Sequence, residues 1–204
     1  FSPKRKKYKS LQYKNRKTMK IKRKSGLNIL LIVFVVSFFI TPIGYWSKVW
    51  LTRLFTFDPE IEHRTKLEHI PSYDWKLRDA EGQTFNFERS KGDVIFINLW
   101  ASWLLPSAAE LNGIQKLMDE YKGKVDFYIV TNEERYPVEE FMKKNDYDFP
   151  VTYRIVGEKS PIDTTQVPAT YIIDKLGKIR VHQKGIADWD NEKVRGLLDS
   201  LIAE

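Results

Sequence analysis

The feature that most constrains this chain is a stretch between Lys24 and Lys48 that contains no charged residue. Its centre, residues 27–46, is dominated by Leu, Ile, Val and Phe. As an α-helix, twenty such residues are about 30 Å long, which matches the hydrocarbon core of a bilayer. We therefore predict one transmembrane helix over residues 26–47, with Tyr45, Trp46 and Trp50 near the interface. A cleaved signal peptide is disfavoured, because no small-x-small cleavage site follows the apolar core.

The charges of the chain are divided unevenly around this stretch. Residues 1–57 contain fourteen Lys or Arg and no acid, whereas the rest holds 20 basic residues and all 27 acids. Twelve of the fourteen lie in residues 1–25, so the positive-inside rule predicts a cytoplasmic tail there. The C-terminal domain then lies beyond the bacterial inner membrane, in the periplasm. Anionic headgroups explain the basic tail, and we expect no nucleic-acid partner because no groove-reading motif is present.

The chain beyond the predicted span alternates between strand and helix periodicities, which indicates an α/β fold. Residues 48–71 form an interfacial segment and linker, and residues 72–204 form the domain. The run at 94–100 is almost continuously apolar, as in a strand buried on both faces. Further strands are predicted at 73–77, 84–87, 125–131, 149–153, 169–174 and 178–183, with helices at 107–121, 138–145 and 191–202.

Two short segments of this domain carry a family resemblance. They are Trp100-Ala101-Ser102-Trp103-Leu104-Leu105-Pro106-Ser107 and Val167-Pro168-Ala169-Thr170. With Glu110, Phe149-Pro150-Val151 and Gly177-Lys178-Ile179 in order, residues 72–204 resemble the membrane-anchored thioredoxin-like proteins of the TlpA/ResA group. The resemblance implies a thioredoxin-like fold, with a central mixed sheet flanked by helices. It also implies a cis peptide at Val167–Pro168 and a functional carboxylate at Glu133.

The resemblance does not carry the activity of the group to this chain. Leu104 and Ser107 stand where the group has its two cysteines, and the chain contains no cysteine. Thiol–disulfide exchange requires a thiolate, so we predict no such catalysis and no cofactor. Glu133 is then left without an evident role.

Other chemistry is poorly supported by the sequence. Ser107 as a nucleophile would need a positioned base, and we instead interpret residues 107–110 as a capping box in which Ser107 and Glu110 bond helix amides. His63, His69 and His182 match no compact zinc pattern, so no metal site is predicted. Trp75, Trp100 and Trp189 are predicted to pack in the core.

The motif residues offer an apolar patch in place of a reactive centre. We predict a binding site formed by Trp103, Leu104, Leu105, Pro106, Val167 and Pro168. The alternative is that the residues at the cysteine positions were replaced by drift and only pack there, without a binding role. The first hypothesis is a redox-inactive interaction module, an accessory or scaffold subunit of a bacterial envelope complex. Partner subunits would bind through this patch or through residues 48–57. The alternative is a chaperone-like binder of extended polypeptides or apocytochromes, and an enzyme of another kind ranks last.

Overall fold

The computed structural model describes residues 23–53, 58–59 and 68–204. Most of the predicted basic tail, parts of the linker and His63 lie outside the described residues. The chain divides into two compact units, Phe1–Gly44 and Tyr45–Glu204.

The predicted single transmembrane helix is interrupted. Helix α1 spans Arg23–Ile40 and helix α2 spans Pro42–Arg53, with Thr41 between them. Proline has no N–H to donate and disfavours helical geometry at the residue before it, so Pro42 separates the two helices. At the end of α1, the Thr41 hydroxyl donates to the Ser37 carbonyl at 2.8 Å.

Neither helix alone meets the requirements of a span. No single helix within the described ranges is long and apolar enough to cross a membrane, although the bent pair Gly26–Phe39 and Gly44–Thr52 could by length and composition. The predicted helix over residues 26–47 is thus divided at Thr41, and the crossing of a membrane by this stretch stays a prediction.

The second unit confirms the predicted α/β architecture, with a mixed sheet flanked by helices. The described residues form a seven-stranded sheet in the order β2-β1-β5-β4-β3-β6-β7. Its strands are β1 Lys76–Arg78, β2 Thr84–Asn86, β3 Ile95–Leu99, β4 Asp126–Thr131, β5 Val151–Arg154, β6 Ala169–Ile173 and β7 Ile179–Lys184. The helices of this unit are α3 Leu105–Glu120, α4 Arg135–Asn145 and α5 Glu192–Ala203, together with the part of α2 from Tyr45.

Several predicted element bounds differ from the structure: β1 begins at Lys76, α3 at Leu105 and α4 at Arg135. Two further differences concern Phe87 and His69. Phe87 begins a 3₁₀ turn, Phe87–Ser90, instead of ending a strand. The Asn86 side chain accepts from the Glu88 N–H and so starts this turn. His69 lies in the predicted linker but forms a bridge with Lys178, which adds this part of the linker to the sheet.

The central strand β3 separates two apolar cores because its side chains alternate between the faces of the sheet. Ile95, Ile97 and Leu99 pack into one core, which also contains Trp75. Phe96 and Trp100 pack into the other, with Trp189 and residues of α3 and α5. The prediction that Trp75, Trp100 and Trp189 are core residues is confirmed.

The sheet register brings the two motif segments to the same edge. Strands β3 and β6 are antiparallel, and Leu99 pairs with Ala169. The chain that leaves β3 therefore starts beside the chain that enters β6. The Val167–Pro168 bond just before β6 is cis, as expected.

Helix α2 packs on the first turns of α3. Val49 is only 2% exposed and forms a small apolar cluster with Ala108 and Ala109. Tyr45, Leu105 and Phe141 pack around it. The segment predicted as interfacial is thus part of the folded unit up to Arg53.

Truncation of Val49 tests this packing. We expect Val49→Ala to lower the free energy of unfolding of the full chain by about 1–3 kcal/mol, because the substitution leaves a cavity over α3. Urea denaturation in a mild detergent measures the effect. Leu51→Ala is the matched control on the exposed side of α2, where we expect a change within about 0.5 kcal/mol. Equal losses for the two variants would contradict the described packing.

Candidate functional site

The candidate site is the motif loop, residues 100–107, which connects β3 to α3. Backbone bonds fix its beginning, because the Trp100 N–H donates to the Val130 carbonyl at 3.0 Å. The Leu104 N–H donates to the Ala101 carbonyl at 3.2 Å and closes a tight turn. Leu104 is the N-cap residue of α3, and a proline lies in the first turn, where its missing N–H costs nothing.

Ser107 takes a structural role in the loop. Its side chain is fully buried, and its Oγ accepts the Ala101 N–H at 3.3 Å. The capping-box prediction is wrong: α3 begins at Leu105, before Ser107, and its N-cap makes no side-chain bond. The small hydroxyl satisfies a buried backbone donor.

Glu110 lies in the interior and joins three parts of the fold. Its carboxylate accepts from Asn98 Nδ2 at 2.9 Å and from Trp189 Nε1 at 3.0 Å. The Ala187 N–H donates to the same carboxylate at 3.4 Å. Asn98 Nδ2 also donates to Thr170 Oγ1 at 2.9 Å. The result is a buried polar cluster that connects α3, β3, β6 and the loop before α5.

Burial changes the acidity of Glu110. Loss of hydration raises its pKa from 4.5 to about 7, although the bonds from Asn98, Trp189 and Ala187 act in the opposite direction. Burial therefore favours the protonated form of this carboxyl relative to an exposed glutamate.

Glu133 has a partner that the sequence did not reveal. Its carboxylate accepts the Ser102 N–H at 2.7 Å and the Ser102 hydroxyl at 2.7 Å. Glu133 follows β4, so these bonds attach the motif loop to the end of the neighbouring strand. A carboxylate that accepts two hydrogen bonds from one residue holds the loop firmly, because charge-assisted hydrogen bonds are stronger than hydrogen bonds between neutral groups.

The six predicted binding residues differ in their exposure to solvent. Trp103 is 74% exposed and Val167 is 37% exposed, whereas Pro168 is buried. Leu104, Leu105 and Pro106 are partly exposed, and Leu105 packs beside Val49. We use the term motif surface for Trp103, Leu104, Pro106 and Val167.

The backbone before β6 is open to pairing. Among the described residues, neither the N–H nor the C=O of Val167 takes part in a hydrogen bond. The next residue, Pro168, has a carbonyl that accepts from the Gly185 N–H at 2.9 Å. An extended chain that ran beside Val167 would find an unused donor and acceptor there.

His182 lies on the edge strand β7 and stacks on Tyr171, with ring centroids 4.3 Å apart. No group of three or more His, Asp or Glu side chains in the described part of the chain is arranged to hold a metal.

Comparison with known proteins gives this geometry a family context. The sequence model of the AhpC/TSA family matches residues 68–182, more than half of the chain. The chain is 30% identical over 131 residues to thiol-disulfide oxidoreductase ResA of Bacillus cereus, covering 61% of this chain and 73% of that protein. It is 29% identical over 112 residues to thioredoxin-like protein YneN of Bacillus subtilis, covering 52% of this chain and 65% of YneN, just under two thirds.

Solved structures show the same fold. A putative thiol-disulfide oxidoreductase from Bacteroides vulgatus superposes with a TM-score of 0.55 at 23% identity, over 67% of this chain and 99% of that chain. A putative thiol:disulfide interchange protein DsbE from Chlorobium tepidum gives 0.55 at 19% identity, over 70% and 99%. At these identities the likeness concerns the fold alone.

Substitution of Glu110 tests its raised pKa. The pKa of Glu110 is about 7 in the folded state and about 4.5, its ordinary value, in the unfolded state. Between pH 4.5 and pH 7 the folded state therefore binds more protons than the unfolded state does. The contribution of Glu110 to stability is fully present below about pH 4.5 and is lost as the pH rises to 7. We expect the difference in unfolding free energy between the wild type and Glu110→Gln to fall across this window, by at most about 1.4 kcal/mol per pH unit. Urea titrations at pH values from about 4 to about 8 would measure this difference in unfolding free energy. A difference that does not change with pH would contradict the raised pKa of Glu110.

Cysteines placed at the two motif positions test the loop geometry. We expect Leu104→Cys combined with Ser107→Cys to form an intramolecular disulfide, because the first residue caps α3 and the second lies in its first turn. The first thiol would be acidified by the helix N-terminus, so the pair should reduce insulin in a dithiothreitol-driven turbidity assay. The wild type and Leu104→Cys alone are the controls without a disulfide. Thiols that stay free under oxidant would show that these positions do not match the cysteine pair.

Proposed function

Because the chain belongs to the AhpC/TSA family and contains no cysteine, we propose that it is a redox-inactive, membrane-tethered thioredoxin-like interaction module. Its role would be that of an accessory or scaffold subunit in a bacterial envelope complex. The observation that carries this proposal is Trp103, a large aromatic side chain that is 74% exposed on a fixed loop. Exposed aromatic side chains on rigid supports are typical of protein-binding sites.

The rigidity of the motif loop supports a role in binding. Ser107 and Glu133 together satisfy the backbone N–H groups of Ala101 and Ser102, so the loop keeps a defined shape without a disulfide. A loop held in one conformation loses little entropy when a partner binds. The arrangement therefore suits docking, although its thiol chemistry is absent.

The open backbone at Val167 supports an extended partner segment. A strand that paired with Val167 would lie beside Trp103, because the register of Leu99 and Ala169 places the two loops at one edge. Main-chain bonds would give affinity, and the motif surface would select apolar side chains. Neither contribution requires sulfur.

The proposed tether rests on charge and composition. Twelve basic residues precede the uncharged stretch, so we propose that the N-terminus is cytoplasmic and the domain periplasmic. A ResA of Oceanobacillus iheyensis matches 184 residues, 89% of this chain, at 26% identity, so the similarity extends beyond the domain into the N-terminal segment.

Photocrosslinking from single positions tests the docking site in intact cells. The residue p-benzoylphenylalanine would replace Trp103, Val167 or, as the control, Leu176, which is 70% exposed at the opposite end of β6. We expect one discrete partner protein, identified by mass spectrometry, from positions 103 and 167 and none from 176. A broad ladder of many polypeptides would instead favour the chaperone-like alternative. Crosslinking at 103 and 167 that does not exceed the level at 176 would refute a docking role.

A further inference from the structure

Helix α2 has two different sides within the second unit. On one side, Val49 is 2% exposed and packs against Ala108 and Ala109 of α3. On the other, Trp50 is 62% exposed, and Trp46 and Leu51 are also exposed. Packing on α3 therefore leaves two indoles and a leucine facing outward.

The net charge of α2 and of the chain before it indicates the chemistry of a partner for this exposed side. The charged residues of α2 are Lys48 and Arg53, and no acid precedes Asp58. Indole rings concentrate where apolar chains meet water in a bilayer, and basic side chains are attracted to anionic headgroups. The helix also follows the apolar α1 after a single residue. The chemistry fits the headgroup layer of a membrane.

We propose that α2 is an interfacial helix that attaches the thioredoxin-like domain to the bilayer surface. Trp46, Trp50 and Leu51 enter the headgroup layer, while Val49 holds α3 from the other side. The inference rests on the membrane tether of the proposed function and adds to it a fixed orientation of the domain.

This attachment determines where a partner reaches the motif surface. Because α2 covers the first turns of α3, the motif loop that leads into α3 lies close to the bilayer. The partner segment is therefore one that lies near the membrane surface, such as the part of a membrane protein that adjoins its span.

The absence of cysteine makes depth measurement direct. Single-cysteine variants of the full chain would carry an environment-sensitive nitrobenzoxadiazole label at Trp46→Cys, Trp50→Cys or Leu51→Cys. The purified proteins would be placed in phosphatidylcholine vesicles that contain phosphatidylglycerol. Nitroxide lipids labelled at the headgroup or deep in the acyl chain would then quench the label according to its depth. Leu176→Cys, on an exposed leucine of the β6–β7 turn, is the control in water.

We expect headgroup nitroxides to quench the three α2 labels several-fold more than the Leu176→Cys label and more than deep nitroxides do. Labels on α2 that are quenched no more than the control would overturn the proposal and leave this side of α2 to a protein partner. Stronger quenching by the deep nitroxide would also overturn it, because α2 would then lie within the bilayer core.

A label at Val33→Cys in α1 separates this proposal from the tether itself. Deep quenching at Val33→Cys with an unquenched α2 supports the tether and refutes the interfacial helix. No quenching at Val33→Cys by either lipid refutes the tether, and with it the basis of this inference.

Discussion

The buried carboxyl of Glu110 is the interaction on which the arrangement of the site depends. It joins α3 to Asn98 of β3 and to Trp189 before α5, and Asn98 in turn bonds Thr170 of β6. A buried carboxylate is costly unless donors surround it, so these donors and Glu110 require one another. The start of α3 is thereby fixed against the sheet. The motif loop leads directly into α3, so its C-terminal end is held in position as well.

The shape of the motif loop is held by hydrogen bonds to its backbone, and the sequence contains no cysteine. Ser107 is buried and bonds the Ala101 N–H, and Glu133 bonds Ser102 from the next strand. Both interactions serve the backbone, and a backbone donor must be satisfied whether or not a thiol is present. Leu104 and Trp103 then occupy a rigid, surface-exposed position. This exposed, hydrogen-bonded loop is the basis on which a binding role is proposed for the chain, whereas relatives are named as thiol-disulfide oxidoreductases.

Helix α2 belongs to the segment that the sequence predicted as an interfacial segment and linker before the domain. It is an element of the folded unit, because Val49 is buried between α3 residues. In the proposed function, this packing of the tether on its own domain would restrict the orientations of that domain, whereas a flexible linker would not. The small side chains Ala108 and Ala109 permit this close approach next to the motif loop. The proposed recognition site and the proposed attachment would therefore lie at the same end of α3.

Composition and local pattern determined much of this protein. Alternating periodicities predicted the strands and helices, and the family resemblance of the motif segments implied the mixed sheet. The lack of cysteine was the basis for predicting no thiol chemistry. The motif order located the two loops correctly. Pro42 lies within the predicted helix over residues 26–47, and the structure divides the helix just before it. The capping-box interpretation of Ser107 and Glu110 failed because a four-residue pattern describes only local partners. The donors to Glu110 come from Asn98, 12 residues away, and Trp189, 79 residues away. A polar Asn98 within an apolar strand was the one local sign of this cluster. Tertiary structure likewise decided that Glu133 bonds Ser102 and that Val49 packs on Ala108. Periodicity indicates which side chains are buried, but it does not indicate which distant groups meet there.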